Sequence, residues 1–141
     1  MRPVPAGEAA PHEIAAAAVD MELILEQEPQ LSDFGFGRSD FYKTREEAVA
    51  KFREDRESIR DPQSLAQFIL ARGWLSQFAK LKSLNKCGSS YGLKHVAEHD
   101  IGYITNGVFI AAAIAEGFRV RRINDSNPNA WFNISSAAWG R

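Results

Sequence analysis

Residues 90–135 have the sequence SYGLKHVAEHDIGYITNGVFIAAAIAEGFRVRRINDSNPNAWFNIS, and the order of the patterns within it decides the predicted fold. SYGLKHVAEHDI predicts a short helix that ends near Gly102. TNGVFIAAAIAEGF predicts a second helix, capped by Thr105 and ended by Gly117. Two segments after Gly117, FRVRRI and AWFNIS, alternate in character around the turn-forming residues NDSNPN. This pattern predicts a β-hairpin with a long loop.

Two helices are predicted in the first part of the chain. Residues 11–28 have apolar side chains at spacings of three and four, which places them on one helix face, and Pro29 ends the helix. Thr44 and Glu47 have the spacing of a capping box and predict the start of a charged surface helix. The loop between these helices contains aromatic residues that we expect to pack onto a neighbouring surface: Phe34, Phe36 and Phe41.

A further helix is predicted to begin after Asp61, because the next residue is a proline, whose missing N–H costs nothing in the first turn. Residues 62–84 are apolar on more than one side, so we predict a largely buried helix here or a break at Gly73. The predicted fold class is mainly α, with about five helices and a C-terminal β-hairpin.

The composition is typical of a globular protein. Of 141 residues, 45% are apolar and 25% are charged, which suffices for a core without disulfides. Residues 1–11 predict a disordered lead-in, and residues 12–141 predict a single helical domain. No apolar run approaches the ~20 residues that a membrane span needs, and no secretory signal is evident. With Cys87 as the one cysteine, these observations favour a cytoplasmic protein without membrane contact.

Residues 62–135 predict, in order, a long helix, two short helices and a two-stranded hairpin, and this order resembles that of a winged helix-turn-helix domain. The resemblance implies a winged-helix-like second half that binds DNA. The helix at residues 106–116 would enter the major groove, and the hairpin at residues 119–135 would follow the backbone. No particular family within this superfamily is indicated.

Charge is unevenly distributed along the chain. Residues 1–71 contain 8 Lys/Arg against 14 Asp/Glu, whereas residues 72–141 contain 9 against 4. A basic second half is compatible with polyanions, although an early charged surface helix would explain the asymmetry equally well. The predicted nucleic-acid contacts are Lys80, Lys82, Lys86, Lys94, Asn106, Arg119, Arg121 and Arg122.

The predicted recognition helix has few side chains that read bases. Thr105 and Asn106 at its start are the polar candidates, whereas one face is apolar and the other consists largely of small residues. A small-residue face suits the close approach of another backbone. The alternative function is therefore a protein-interaction module, such as an inhibitor or assembly factor. It would meet a protein partner or a second copy of the chain through the acidic N-terminal helices or residues 106–116.

Two further patterns have a structural and a functional interpretation. Trp131 and Phe132 are neighbours in a predicted strand, so one faces the core and the other faces solvent. Aromatic side chains among basic residues can stack on single-stranded bases, but we expect core packing for most aromatics of this chain.

His95, Glu98 and His99 form an H-x-x-E-H sequence, as in one class of zinc proteases. No third ligand is evident and the chain is short, so we predict local hydrogen bonding here, no metal site and no cofactor. Enzymatic activity stays open. The favoured interpretation is a small non-catalytic nucleic-acid-binding or regulatory protein.

Overall fold

The computed structural model describes residues 9–39 and 41–140, which form a mainly α fold with five α-helices and two small antiparallel sheets. The elements are α1 (Pro11–Gln27), β1 (Leu31–Ser32), β2 (Gly35–Phe36), α2 (Arg45–Ser58), α3 (Pro62–Leu75), β3 (Lys80–Asn85), α4 (Ser90–Ile101), α5 (Asn106–Ala115), β4 (Val120–Arg122) and β5 (Ala130–Ile134). The predicted fold class is confirmed. Of the predicted lead-in, residues 1–8 lie outside the described residues, and Pro11 already belongs to α1. No helix in the described ranges combines the length and the apolar character needed to cross a membrane.

The first two helices form as their patterns predict. α1 buries one apolar face, on which Met21 and Leu25 lie one turn apart and are almost fully covered. α2 begins at its predicted cap, because Thr44 Oγ1 accepts a hydrogen bond from the Glu47 amide at 3.1 Å. None of the fourteen residues of α2 is buried, whereas Ile59 directly after it is fully buried. α2 is therefore a surface helix that is anchored at its end.

The aromatic residues of the loop after α1 do not all pack as predicted. Phe36 in β2 is buried, but Phe34 and Phe41 are 39% and 86% exposed, so the prediction is wrong for these two. Phe34 lies in the tight turn between β1 and β2, where the backbone turns its side chain away from the core.

The predicted helix over residues 62–84 is wrong in its second part. α3 ends at Leu75, and the residues from Lys80 onward form β3. Gly73 is not the break, since it is helical. β3 pairs with β5, which lies far along the chain, and such tertiary pairing overrides the local helical pattern.

α5 is the central helix of the fold. All residues from Asn106 to Ala113 are buried, and α5 packs against α1, α3 and α4. Both of its predicted ends are confirmed. Thr105 Oγ1 accepts a hydrogen bond from the Val108 amide at 3.2 Å, and Gly117 adopts a left-handed φ of 84° after the last turn.

The β1–β2 hairpin covers the first turn of α5. The Gly107 amide donates to the Asp33 carbonyl oxygen at 3.1 Å. A Cβ on Gly107 would lie 1.7 Å from the Ser32 carbonyl oxygen, so no side chain fits at this position. The small-residue face of α5 therefore meets another backbone, as its composition suggests, but that backbone belongs to the same chain.

β5 is the middle strand of the second sheet, with β3 on one side and β4 on the other. Both pairings are antiparallel, and the β4–β5 pair is the predicted C-terminal hairpin. The β3–β5 register shifts between Lys80 and Asn85, which makes β3 irregular. From α3 onward the order of elements is helix, strand, helix, helix, strand, strand.

Candidate nucleic-acid interface

The sheet formed by β3, β5 and β4 has one face toward the helices and one toward solvent. Along β5, Phe132 and Ile134 are buried toward the helices, whereas Trp131 points the other way and is partly exposed. Arg121 is directly opposite Trp131, and side chains opposite each other on antiparallel strands share a face. Arg121 and Trp131 therefore lie side by side on the outer face of the sheet.

Arg119 crosses the same face toward β3. Its guanidinium Nη1 donates to the main-chain oxygen of Lys82 at 2.9 Å. Its main-chain N–H donates to Asn133 Oδ1 at 2.6 Å, while Asn133 Nδ2 donates to the Leu81 carbonyl oxygen at 2.8 Å. The buried Asn133 thus links both edges of the sheet to the middle strand, which places Arg119 beside Lys82.

Lys86 brings a second cation to Trp131. Its ammonium lies 4.7 Å from the centre of the Trp131 ring, which is a cation–π distance. The preceding Asn85 is buried and holds the turn, because its Nδ2 donates to the Ile134 carbonyl oxygen at 3.0 Å and its Oδ1 accepts from the Cys87 amide at 3.1 Å. We call this surface the basic face. It consists of Lys86, Arg119, Arg121 and Trp131, with Lys82 at its edge.

Acidic side chains do not neutralise the basic face within the described part of the chain. The cations that form ion pairs there are Lys51, Arg60, Arg72, Lys94 and His95, none of which belongs to the basic face. No aspartate or glutamate occurs between Asp61 and Glu98, and Asp125 is the one acidic residue after Glu116. The positive charge of the basic face is therefore directed to solvent, where it attracts phosphates.

Two predicted contacts lie at the edges of the sheet and outside the basic face. The ammonium of Lys80 lies 4.7 Å from the Phe118 ring centre, on the side of the α5–β4 connection. Arg122 is half-buried, and its guanidinium carbon lies 5.5 Å from the centre of the Phe36 ring. Arg122 thus packs the C-terminal hairpin against β2.

The remaining two predicted contacts are buried. Asn106 Nδ2 donates to Asn129 Oδ1 at 3.0 Å, and Asn106 Oδ1 accepts from Ser90 Oγ at 3.0 Å. Lys94 is only 5% exposed and donates to Glu98 Oε2 at 3.0 Å. Because the fold itself uses these polar groups, we correct the expected interface and leave Lys94 and Asn106 out of it.

A pocket of about 450 Å³, lined by both aromatic and charged side chains, lies where α4 meets the start of α5. Lys94 lies on its wall, with its ammonium 5.1 Å from the Tyr91 ring centre and 5.5 Å from the Tyr103 ring centre. Across the pocket, burial raises the pKa of Asp33, against the opposing effect of a hydrogen bond from Thr105.

The H-x-x-E-H sequence lies on α4 at the rim of this pocket. His95 Nδ1 lies 2.9 Å from Glu98 Oε1, so the predicted local hydrogen bond is confirmed. Burial raises the pKa of Glu98, but hydrogen bonds from the Ile104 amide, Lys94 and His95 outweigh it, and the net pKa is lowered. No three His, Cys, Asp or Glu side chains of residues 9–39 and 41–140 are placed to hold a metal ion.

Sequence reasoning identified the cations of the basic face but not their arrangement. The sequence predicts Lys82 in a helix, whereas it lies in β3, and it predicts Lys86 in a turn, which is correct but does not indicate that this turn lies beside the C-terminal hairpin. The sequence does contain a signal that Trp131 could be exposed, since the alternation in AWFNIS requires either Trp131 or Phe132 to face solvent.

No protein-family model matches this chain, and searches of the curated proteins and of the solved structures return no significant match. Its function therefore has to be inferred from its own geometry.

Proposed function

We propose that this protein binds nucleic acid through the basic face, mainly by contacts to phosphates. The observation that carries the proposal is the arrangement of Lys86 and Arg121 beside Trp131, with Arg119 on the same sheet face and no carboxylate there. Lysine and arginine side chains on such a face displace the counterions of a nucleic acid, which gives affinity that falls as salt rises. We also propose the cytoplasm as the compartment, since a single cysteine gives no disulfide framework within the chain.

The element order supports a winged-helix-like unit at residues 62–135 as part of this proposal. Its order of helix, strand, helix, helix, strand, strand, with the last strand in the middle of the sheet, agrees with the predicted resemblance. The way such domains read DNA finds no support here, because residues 106–113 of α5 are buried. We therefore propose binding that depends on charge and not on base sequence.

Substitution of Lys86, Arg119 and Arg121 by alanine tests the proposal. We expect the triple variant to bind labelled DNA or RNA about tenfold more weakly or worse. The slope of log affinity against log salt should fall by about 2–3, because each lost phosphate contact removes somewhat less than one released counterion. Fluorescence anisotropy over a range of salt concentrations measures both quantities.

A matched control separates the basic face from net charge. Lys43, Arg45 and Arg53 are exposed cations of the first half, so their replacement by alanine removes the same total charge elsewhere on the molecule. This control should keep most of the affinity and the salt slope. Equal losses in both triple variants, or an unchanged slope in the first, would refute the basic face as the interface.

The alternative is a protein-interaction module, and one observation on α1 favours it. Val19 and Leu23 lie one turn apart on the outer side of this acidic helix and are 62% and 53% exposed. The other surface predicted for a partner, the small-residue face of α5, is buried from Gly107 to Ala112, with Gly107 against the β1–β2 hairpin. A preparation that binds no nucleic acid at low salt and elutes as a dimer at any salt concentration would favour this alternative.

A further inference from the structure

We infer that the basic face prefers single-stranded nucleic acid and that Trp131 stacks against an unpaired base. This inference rests on the proposed function and names its substrate class. It follows from three observations: the burial of α5, the lack of cations at the tip of the β4–β5 hairpin, and the position of Trp131 on the basic face.

The first observation concerns α5. A protein that reads duplex DNA in the major groove inserts a helix or a two-stranded ribbon whose side chains reach the base edges. The helix that the element order would assign to this task is buried from Asn106 to Ala113. Its polar first residue, Asn106, is already bonded to Ser90 and Asn129. α5 is therefore not available to a groove.

The second observation concerns the tip of the β4–β5 hairpin. A wing that enters a minor groove does so with arginine or lysine side chains. Residues 123–129 have the sequence INDSNPN, which contains no cation and one acid, Asp125. Arg121 lies instead in β4, the strand that leads into the hairpin, Arg119 directly precedes this strand, and Lys86 directly follows β3. Their charge is spread over an open sheet face and not on a projecting loop.

The third observation is the position of Trp131 on that face. Its ring lies on the middle strand, next to Arg121 and under the ammonium of Lys86. The cations of the basic face would hold the phosphates of a strand that crosses the sheet, and an unpaired base could then stack on the indole. Lys86 would exchange its cation–π contact for a phosphate contact. Paired bases, by contrast, keep their faces inside the helix and cannot reach the indole.

The other tryptophans are placed differently, which makes Trp131 testable by itself. Trp74 is 4% exposed, and its Nε1 donates to Asp100 Oδ2 at 2.7 Å. Trp139 packs over Gly88, where an added Cβ would lie 2.9 Å from the indole. A change in tryptophan fluorescence that disappears with Trp131 therefore reports on the basic face.

The experiment compares a labelled single strand of mixed sequence with its duplex, at low salt, for the wild type, W131A and W131F. We expect the wild type to bind the single strand more tightly than the duplex. W131A should lose about tenfold in affinity for the single strand, because base stacking on an aromatic residue has about this value. The duplex affinity should fall much less, and the salt slope should be kept, because the indole is uncharged and makes no phosphate contact of its own. W131F, which keeps an aromatic ring, should recover most of the lost affinity.

Fluorescence and unfolding measurements complete the test. The single strand should quench tryptophan emission in the wild type and in W139F but not in W131F. Thermal unfolding shows whether each variant keeps its fold. If W131A does not, the affinity of W131F and its expected loss of quenching decide the result. Equal affinity of the wild type for single strand and duplex, or equal losses on both in W131A, overturns the inference but leaves the proposed function intact. Failure of the wild type to bind either probe refutes the proposed function itself.

Discussion

In a winged-helix protein, α5 and the sheet that carries the C-terminal hairpin would both contact DNA. In this chain the two regions differ completely. α5 has no charged residue between Asn106 and Ala115, and its residues 106–113 are buried. The basic face presents three cations, two of them beside Trp131, and no acidic residue belongs to β3, β4 or β5.

This difference separates stability from binding. The helix that organises the core is sealed by α1, α3, α4 and the β1–β2 hairpin, so a substitution in it changes the free energy of unfolding. The sheet face contributes its outward side chains to solvent, so their loss should leave the fold almost unchanged. Substitutions on the basic face should therefore change nucleic-acid binding and leave stability almost unchanged. Substitutions around α5 should change stability and leave binding almost unchanged.

The largest effect on stability is expected at Gly107, where α5 touches the hairpin. Gly107→Ala would place a methyl group 1.7 Å from the Ser32 carbonyl oxygen, and the backbone there can yield only by moving the hairpin. We expect a loss of about 3 kcal/mol in the free energy of unfolding, measured by urea denaturation. The hydrogen bond from the Gly107 amide to Asp33 should weaken as the two backbones separate.

Gly73→Ala is the matched control. Gly73 lies within α3 with nothing within 4 Å of an added Cβ, so alanine should stabilise the helix by about 0.8 kcal/mol. If Gly107→Ala proved as stable as the wild type, the close contact between α5 and the hairpin would be wrong, and the contrast with the sheet face would be lost.

The parts of the fold that could be predicted from sequence are those with local signals. The helical spacing in α1, the Thr44 and Thr105 caps and the left-handed Gly117 all act within a few residues. β3 was missed because its pairing partner is β5, and the information for that pairing lies outside any local window. Exposure of Phe34 was missed for a similar reason, since the two-residue strands around it leave no periodicity to detect.

The sequence predicts which residues could belong to the candidate site but not how they are arranged. The sequence indicates which residues carry positive charge, but burial decides which of them meet solvent. Lys94 and Lys86 are both lysines in the basic half, yet Lys94 is paired with Glu98 one turn away, whereas Lys86 lies over Trp131. The i,i+4 spacing of Lys94 and Glu98 was a local signal that could have identified this pair.

Glu98→Gln should have the next largest effect on stability. The variant leaves the buried ammonium of Lys94 without a carboxylate, and we expect a loss of about 2 kcal/mol at neutral pH. Because the pKa of Glu98 is lowered in the fold, its stabilisation is present above the ordinary value of 4.5 and is lost as pH falls through the folded-state pKa. Urea denaturation at neutral and acidic pH should therefore show the two proteins converging in acid.

His95→Ala is the control for this prediction, since His95 is half-exposed and its contact with Glu98 should contribute little. Nucleic-acid affinity sharpens the comparison further, because Lys94 lies outside the basic face. A marked drop in affinity in Glu98→Gln, with the fold retained, would contradict the separation of the two regions.

The smallest effect is expected at Asp33, which lies where the hairpin meets the start of α5. Burial raises its pKa, the hydrogen bond from Thr105 opposes this, and the charge of Asp55 adds to it. A carboxyl group with a raised pKa costs nothing below the unfolded value of 3.8 and destabilises the fold as pH rises through the folded-state pKa. Asp33→Asn should therefore be slightly more stable than the wild type at neutral pH and equal to it in strong acid. Asn keeps the acceptor oxygen for Thr105, so a lower stability at neutral pH would show that the start of α5 needs the charge itself.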